Sequence, residues 1–140
     1  RGVAASLMLG ACGVQCGTIF LCAEECQIHE NYKKRVIRAK DIDTIVTGRT
    51  IRDCVRSLKT PFSAQFHRME FDPATSADDL KAFGVGSLRK AAVDGNEQEG
   101  SFLAGQIAGM VHEVRPAKTI IEEMFAQAET TLKGASQWVK

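Results

Sequence analysis

No stretch of this 140-residue chain is apolar over the ~20 residues that a membrane span requires. Charge of neither sign is in excess: 18 Lys and Arg against 17 Asp and Glu leave a formal +1. There is thus no basic footprint for nucleic acid and no acidic tail. Aromatic residues are sparse, seven Phe with one Tyr and one Trp, which removes the stacking platforms of a single-strand binder. The opening Arg1-Gly-Val-Ala-Ala-Ser-Leu-Met-Leu-Gly-Ala has the basic start and small-residue end of a secretory leader. It lacks a charged n-region and its apolar stretch is short, so a helix is expected instead. What is present, 44% hydrophobic and 25% charged residues, suits an ordinary soluble fold.

Cys12, Cys16, Cys22, Cys26 and Cys54 make an odd count of five. Without a leader they read as reduced thiols of a cytoplasmic protein. The first four are spaced C-x3-C-x5-C-x3-C, unlike the spacings of zinc sites or ferredoxins. They read as small apolar side chains for burial, and no metal is expected. His29, His67 and His112 are scattered, and no Ser-His-Asp or Cys-His constellation emerges. No catalytic acid or base is assigned.

Residues 2–9 favour a helix, with Gly10 placed to end it. Gly13 to Cys16 reads as a short apolar strand, and 19–26 as a short helix. His29 to Ala39 reads as a basic helix with Tyr32, Val36 and Ile37 inward. Asp41 to Thr47 alternates at period two, a half-buried strand, and 48–57 is a loop or second extended piece around Val55. Thr60 as N-cap and Pro61 at the first helical position open a helix to about Phe71. Ser76 starts another, with acidic residues in its first turn. Gly86 to Val93 is a further helix closed by the Asp94-Gly95-Asn96 turn. Pro116 to Lys133 is a long amphipathic helix with Ile120, Ile121, Met124, Phe125 and Ala128 on one face. The tail from Ala135 to Lys140 is expected to be loose.

Two segments carry candidate chemistry. In Gln15-Cys16-Gly17-Thr18, a glycine leaving a strand lets backbone approach an anion without a Cβ in the way, and threonine adds a hydroxyl. A structural turn is the competing reading. In the segment Ser101 to Val111, Gly105 and Gly109 lie four apart, a smooth face if helical. That face serves tight helix packing, or close approach to a flat cofactor with Gln106 as the polar contact. Lys33-Lys34-Arg35 is the outer face of a helix, with anionic docking as the alternative.

Taken in order, V-Q-x-G-T-x-F, H-x-N-Y-K, A-K-D-I-D-T-x-V-T-G, the G-V-G-S-L-R-K helix and G-S-x-x-A-G-Q-I-A-G resemble one flavin-dependent family. Its members are the FMN-dependent enoyl-acyl carrier protein reductases of bacterial fatty-acid synthesis (enoyl-ACP reductase II) and the related nitronate monooxygenases, or 2-nitropropane dioxygenases. The resemblance runs from Arg1 to about Phe125. It implies an α/β fold: the C-terminal part of a (β/α)8 TIM barrel, which needs roughly 250 residues in full, with a mainly helical lid and C-terminal helices. Residues 1–28 would end the barrel with its seventh helix, eighth strand and phosphate-binding turn, 29–100 would form the lid, and 101–140 would return to the barrel.

The resemblance implies that Gly17 and Thr18 hold the FMN phosphate, that Gln15 belongs to the same motif, and that Gly105 and Gln106 return toward the flavin. His29, Asn31, Tyr32 and Lys33 would be structural, at the entrance to the lid. Ile19 stands where an arginine is expected, and Arg52-Asp53-Cys54 where the family reads Gly-His-Pro. The implied activity passes hydride from NADH or NADPH to FMN and on to an enoyl thioester. Implied partners are that acyl-carrier-protein-linked or small-molecule substrate and the rest of the barrel, upstream or on a second chain. Neither nucleic acid nor membrane is expected, and a homodimer is open. The alternatives are a nitronate monooxygenase or an NADH:flavin reductase of the same family, or a non-catalytic helical module that binds partners.

Overall fold

The computed structural model describes residues 1–138. Helix α1 (Gly2–Met8) stops at Gly10, whose φ of +90° is left-handed. The Gly10 N–H donates to Leu7 O and the Ala11 N–H to Ser6 O, each at 3.0 Å, a Schellman closure that satisfies the last carbonyls. Beyond it the expected strand at Gly13–Cys16 is not formed. The segment is extended but makes no ladder, and none of its backbone groups bonds within the chain. A strand is defined by its neighbours, and no segment of the described residues runs beside this one. Nor does the helix expected over 19–26 form; a 3₁₀ turn spans Thr18–Cys22. It ends where Ala23 enters a parallel bridge with Arg115.

Helix α2 (Glu30–Arg38) is the hub. His29 caps it, Nδ1 accepting from the Asn31 N–H at 3.1 Å. Tyr32 and Val36, one turn apart, are buried as expected, with Ile37 partly so. They join Cys22, Leu58, Ala91, Phe102 and Ala108 in the main core. Strand β1 (Thr44–Thr47) pairs antiparallel with β2 (Val55–Leu58), Thr44 opposite Leu58. The expected strand from Asp41 starts late because the Lys40 N–H donates to Asp43 Oδ2 at 2.9 Å, forming a turn. Residues 102–104 run along the free side of β2, with the Leu58 N–H donating to Phe102 O at 2.8 Å.

The next two helices start as their caps dictate. In α3 (Pro61–Glu70), Thr60 and Ser63 exchange side-chain bonds with each other's backbone N–H. In α4 (Ala77–Gly84), Ser76 and Asp79 do the same. Helix α5 (Ser87–Ala92) follows Gly86, whose φ is +76°. Phe62 and Phe66 of α3, Leu80 of α4 and the partly buried Phe83 form a second core, with the Phe62 and Phe83 rings stacked at 4.9 Å.

Helix α6 (Ala117–Gly134) packs on α1. Its expected apolar face is divided: Ile120 and Ala128 are buried, whereas Ile121 and Phe125 are about half exposed, at 46% and 50%. The residues at i, i+4 and i+8 meet the chain and the neighbouring stripe does not. The tail is not loose throughout, because Ala135–Trp138 continues as a 3₁₀ turn. Residues 139–140 lie outside the described residues. No helix among those described is long and apolar enough to cross a membrane.

Candidate functional site

Thr18 and Gly105, 87 residues apart, are joined by one hydrogen bond: the Gly105 N–H donates to Thr18 Oγ1 at 2.9 Å. Two 3₁₀ turns therefore begin side by side, Thr18–Cys22 and Gln106–Met110. Because the Thr18 hydroxyl accepts this bond, its own proton remains available to a ligand. The amides of Gly17, Thr18 and Ile19 precede the first internal bond of their turn, and within the chain none of them donates. Gly17 is exposed, and a Cβ built there would meet nothing within 4 Å. Its φ of −106° is open to any residue, so neither conformation nor packing inside the chain demands glycine at 17. Gln15 and Gln106 are both exposed beside this cluster. Ile19 packs against the main core, so apolar contact fills the position where a cation was expected.

The segment Ser101 to Val111 is not an α-helix. Leu103 bridges to Ser57 of β2, and the turn Gln106–Met110 is 3₁₀. Gly105 and Gly109 consequently form no smooth helical face, and the partner-binding module loses its premise. Gly109 instead lets the turn approach Asp41, whose backbone N would lie 2.6 Å from a Cβ at 109. Of the cysteines only Cys22 is fully buried; Cys12 and Cys54 are exposed. Burial raises the Cys22 thiol above its usual pKa, with the Lys33 charge acting the other way. The first and last thiols are therefore not the buried groups that composition suggested.

In H-x-N-Y-K each side chain closes on a different backbone segment. His29 caps α2, and Gly95 lies so close to its ring that a Cβ would overlap it. Asn31 Nδ2 donates to Gly95 O at 3.0 Å, Tyr32 Oη to Leu103 O at 2.8 Å, and Lys33 Nζ to Ala23 O at 2.7 Å. The motif is a fastening, and none of these groups is left over for chemistry. Tyr32 fixes the residue two before Gly105, and Lys33 the residue just after the Thr18 turn. Burial raises the Tyr32 phenol well above its ordinary pKa, so it stays neutral.

Sequence reasoning missed Glu70. Its carboxylate is 6% exposed and accepts from the Gly48 N–H at 3.1 Å and the Thr50 N–H at 3.0 Å. The signal was available: Glu70 continues the buried stripe of Phe62 and Phe66 at successive i+4 steps. The Thr47-Gly48 turn is tight, with Gly48 at φ +81° and its Cβ position blocked by the Asp53 carbonyl. Arg52, in the tripeptide that departs from Gly-His-Pro, adopts φ +58°, a conformation that glycine takes without strain. The loop roofs an apolar cavity of about 320 Å³ lined by Ile51, Phe62, Phe66, Leu80 and Leu103. At the opposite end, Glu25 accepts from the first amide of α6, Ala117, which holds its carboxyl below the usual range.

The family model described as nitronate monooxygenase matches residues 1–127. A "Probable nitronate monooxygenase" of Staphylococcus saprophyticus is 33% identical over 130 residues, 91% of this chain and 36% of that protein. A protein of the same name from Staphylococcus aureus is 29% identical over 127 residues, again 91% of this chain and 35% of its own length. The chain thus spans about a third of the curated relatives it matches. A solved structure titled "Structure of FabK from Thermotoga maritima" superposes with a TM-score of 0.92 at 37% identity, covering 99% of this chain and 44% of that one.

Proposed function

The chain belongs to the nitronate monooxygenase family, and on that premise we propose that it supplies part of the phosphate cradle and the lid of an FMN-dependent oxidoreductase. The activity we assign is that of an enoyl-acyl carrier protein reductase. The observation that carries this reading is the 2.9 Å bond between the Gly105 N–H and Thr18 Oγ1. It brings together the two segments, V-Q-x-G-T and A-G-Q, that a phosphate site would need.

The residues fit a phosphate end. Unused amides at Gly17, Thr18 and Ile19, a hydroxyl with a free proton and no Cβ at 17 make a neutral, donor-rich hollow. Gln15 and Gln106 stand at its rim. Bound FMN would supply the two-electron chemistry, with hydride arriving from NADH or NADPH and leaving to the enoyl thioester. The chain's own share is to hold the phosphate and to fix the lid against it through Tyr32 and Lys33.

Residues 1–28 then close the barrel, 29–100 form the lid and 101–140 return to the barrel. The exposed Met8, Leu9, Ile121 and Phe125 support this division, because apolar patches of that kind mark surfaces that pack elsewhere. Their partner would be the rest of the barrel, upstream or on a second polypeptide.

The 37% identity with FabK, an enoyl-ACP reductase II, supports the reductase. The names of the curated relatives favour nitronate oxidation as the second reading. Stopped-flow measurement separates them. Fast reduction of the flavin by NADH or NADPH with turnover of a crotonyl thioester is expected; nitronate turnover without a nicotinamide would replace the reductase by the monooxygenase. Thr18→Val should lower flavin content and Thr18→Ser should retain it. Equal flavin in both variants would remove Thr18 from the cradle.

A further inference from the structure

We propose that the basic groove beside α2 docks the acidic carrier protein that bears the enoyl thioester, an inference that rests on the reductase reading above. Residues 30–40 hold five cations and one carboxylate, net +4, in a chain whose total is only +1. The positive charge is therefore concentrated on one helix, and the remainder of the molecule is net negative. The groove there, about 400 Å³, is lined by Lys34, Arg35, Arg38 and Lys59 with Asp43 and Glu97.

Both carboxylates are already engaged. Glu97 Oε2 accepts from Arg35 Nη2 at 2.9 Å and Nε at 3.1 Å, and Asp43 Oδ2 from the Lys40 N–H at 2.9 Å. Arg38 and Lys59 are exposed, and among the described residues neither has a carboxylate within 4.0 Å. Arg35 is held in place over the Phe102 ring at 5.3 Å.

The cations sit on two elements, α2 and the end of β2, and rim a concave surface without converging on one point. That spread suits the distributed carboxylates of a protein face better than a single phosphate. The groove also shares a framework with the cradle. Phe102 beneath Arg35 precedes Leu103, which Tyr32 holds at 2.8 Å, and Gly105 two residues on bonds Thr18. A carrier seated on α2 would rest on the same segment that completes the flavin site.

The test uses the complete flavin-loaded enzyme and the double variant Arg38→Glu/Lys59→Glu. Its substrates are a crotonyl thioester on acyl carrier protein and the same thioester on pantetheine. Reversal of two rim charges should raise KM for the carrier-linked substrate about tenfold and weaken its dependence on salt. The values of kcat, flavin content and KM for the pantetheine substrate should stay as in the wild type. The milder pair Arg38→Ala/Lys59→Ala should give a smaller shift in the same direction.

Equal KM for the carrier-linked substrate in all three proteins would overturn the docking surface. So would a rise confined to KM for NADPH, which would make the groove a nucleotide-phosphate site. A change in flavin content or oligomeric state would overturn it too, by making the face internal to the enzyme. If the wild type turned over neither thioester, the reductase reading itself would fail and the docking surface with it.

Discussion

Helix α2 and the segment 12–19 treat their polar groups in opposite ways. Around α2, polar side chains close on backbone: His29 on Asn31, Asn31 on Gly95, Tyr32 on Leu103 and Lys33 on Ala23. Between residues 12 and 19 not one amide donates within the chain. The first region is what a protein does when the purpose is to hold still. The second leaves donors that can be satisfied only from outside, by water, a ligand or further protein. Stability should therefore reside in α2 and binding in 17–19, and substitutions can separate the two.

The largest effect is expected from Phe102→Ala. Phe102 is fully buried, packs its ring 4.8 Å from that of Tyr32 and carries Arg35 on its other side. Truncating such a residue costs about 3–5 kcal/mol, which thermal unfolding followed by circular dichroism would register. Because the damage is to the frame, the midpoint should fall even with flavin in excess. A midpoint near that of the wild type would mean that α2 is not the hub.

Tyr32→Phe is the intermediate case and carries a pH signature. Losing the hydroxyl deprives the Leu103 carbonyl of its 2.8 Å donor, about 1 kcal/mol at neutral pH. Burial raises the folded-state pKa of this phenol. Its contribution is therefore complete below the unfolded value of about 10 and is lost as pH climbs above it, because only the unfolded chain ionises there. Denaturant midpoints measured from pH 8 upward should decline less steeply for Tyr32→Phe than for the wild type. Parallel declines would show that Tyr32 is not the group responsible.

How much of this was legible depends on the range of the interaction. Thr60 with Pro61, and Ser76 with its following Asp79, announced α3 and α4 because a cap is chemistry within four residues. Gly10 ended α1 for the same reason. The strand expected at 13–16 failed because period and composition describe one edge, while a strand needs a neighbour that composition does not name. Ile121 and Phe125 looked like core for a similar reason: helical spacing shows which residues share a face but not what covers it. Glu70 was passed over because charge was read as exposure, although its place in the Phe62, Phe66 stripe pointed inward. The pairing of Thr18 with Gly105 came from the family resemblance; nothing in the spacing of residues 87 apart would have suggested it.

Gly17→Ala has the smallest expected effect on stability and bears most directly on binding. Its backbone, φ −106° and ψ −65°, is open to alanine, and the added Cβ meets nothing within 4 Å. In the ligand-free chain the substitution should be neutral, or stabilising by up to about 1 kcal/mol through a less flexible unfolded state. If the hollow in front of Gly17 takes the flavin phosphate, that same Cβ occupies the anion's approach, and affinity should drop about tenfold, near 1.4 kcal/mol. Flavin titration followed by fluorescence quenching, set beside the melting curve of the apo form, measures both quantities. Unchanged affinity would mean that the free amides of 17–19 serve some other surface. A large loss of apo stability would mean that glycine is needed by the fold after all, and the division between a holding region and a binding region would not survive.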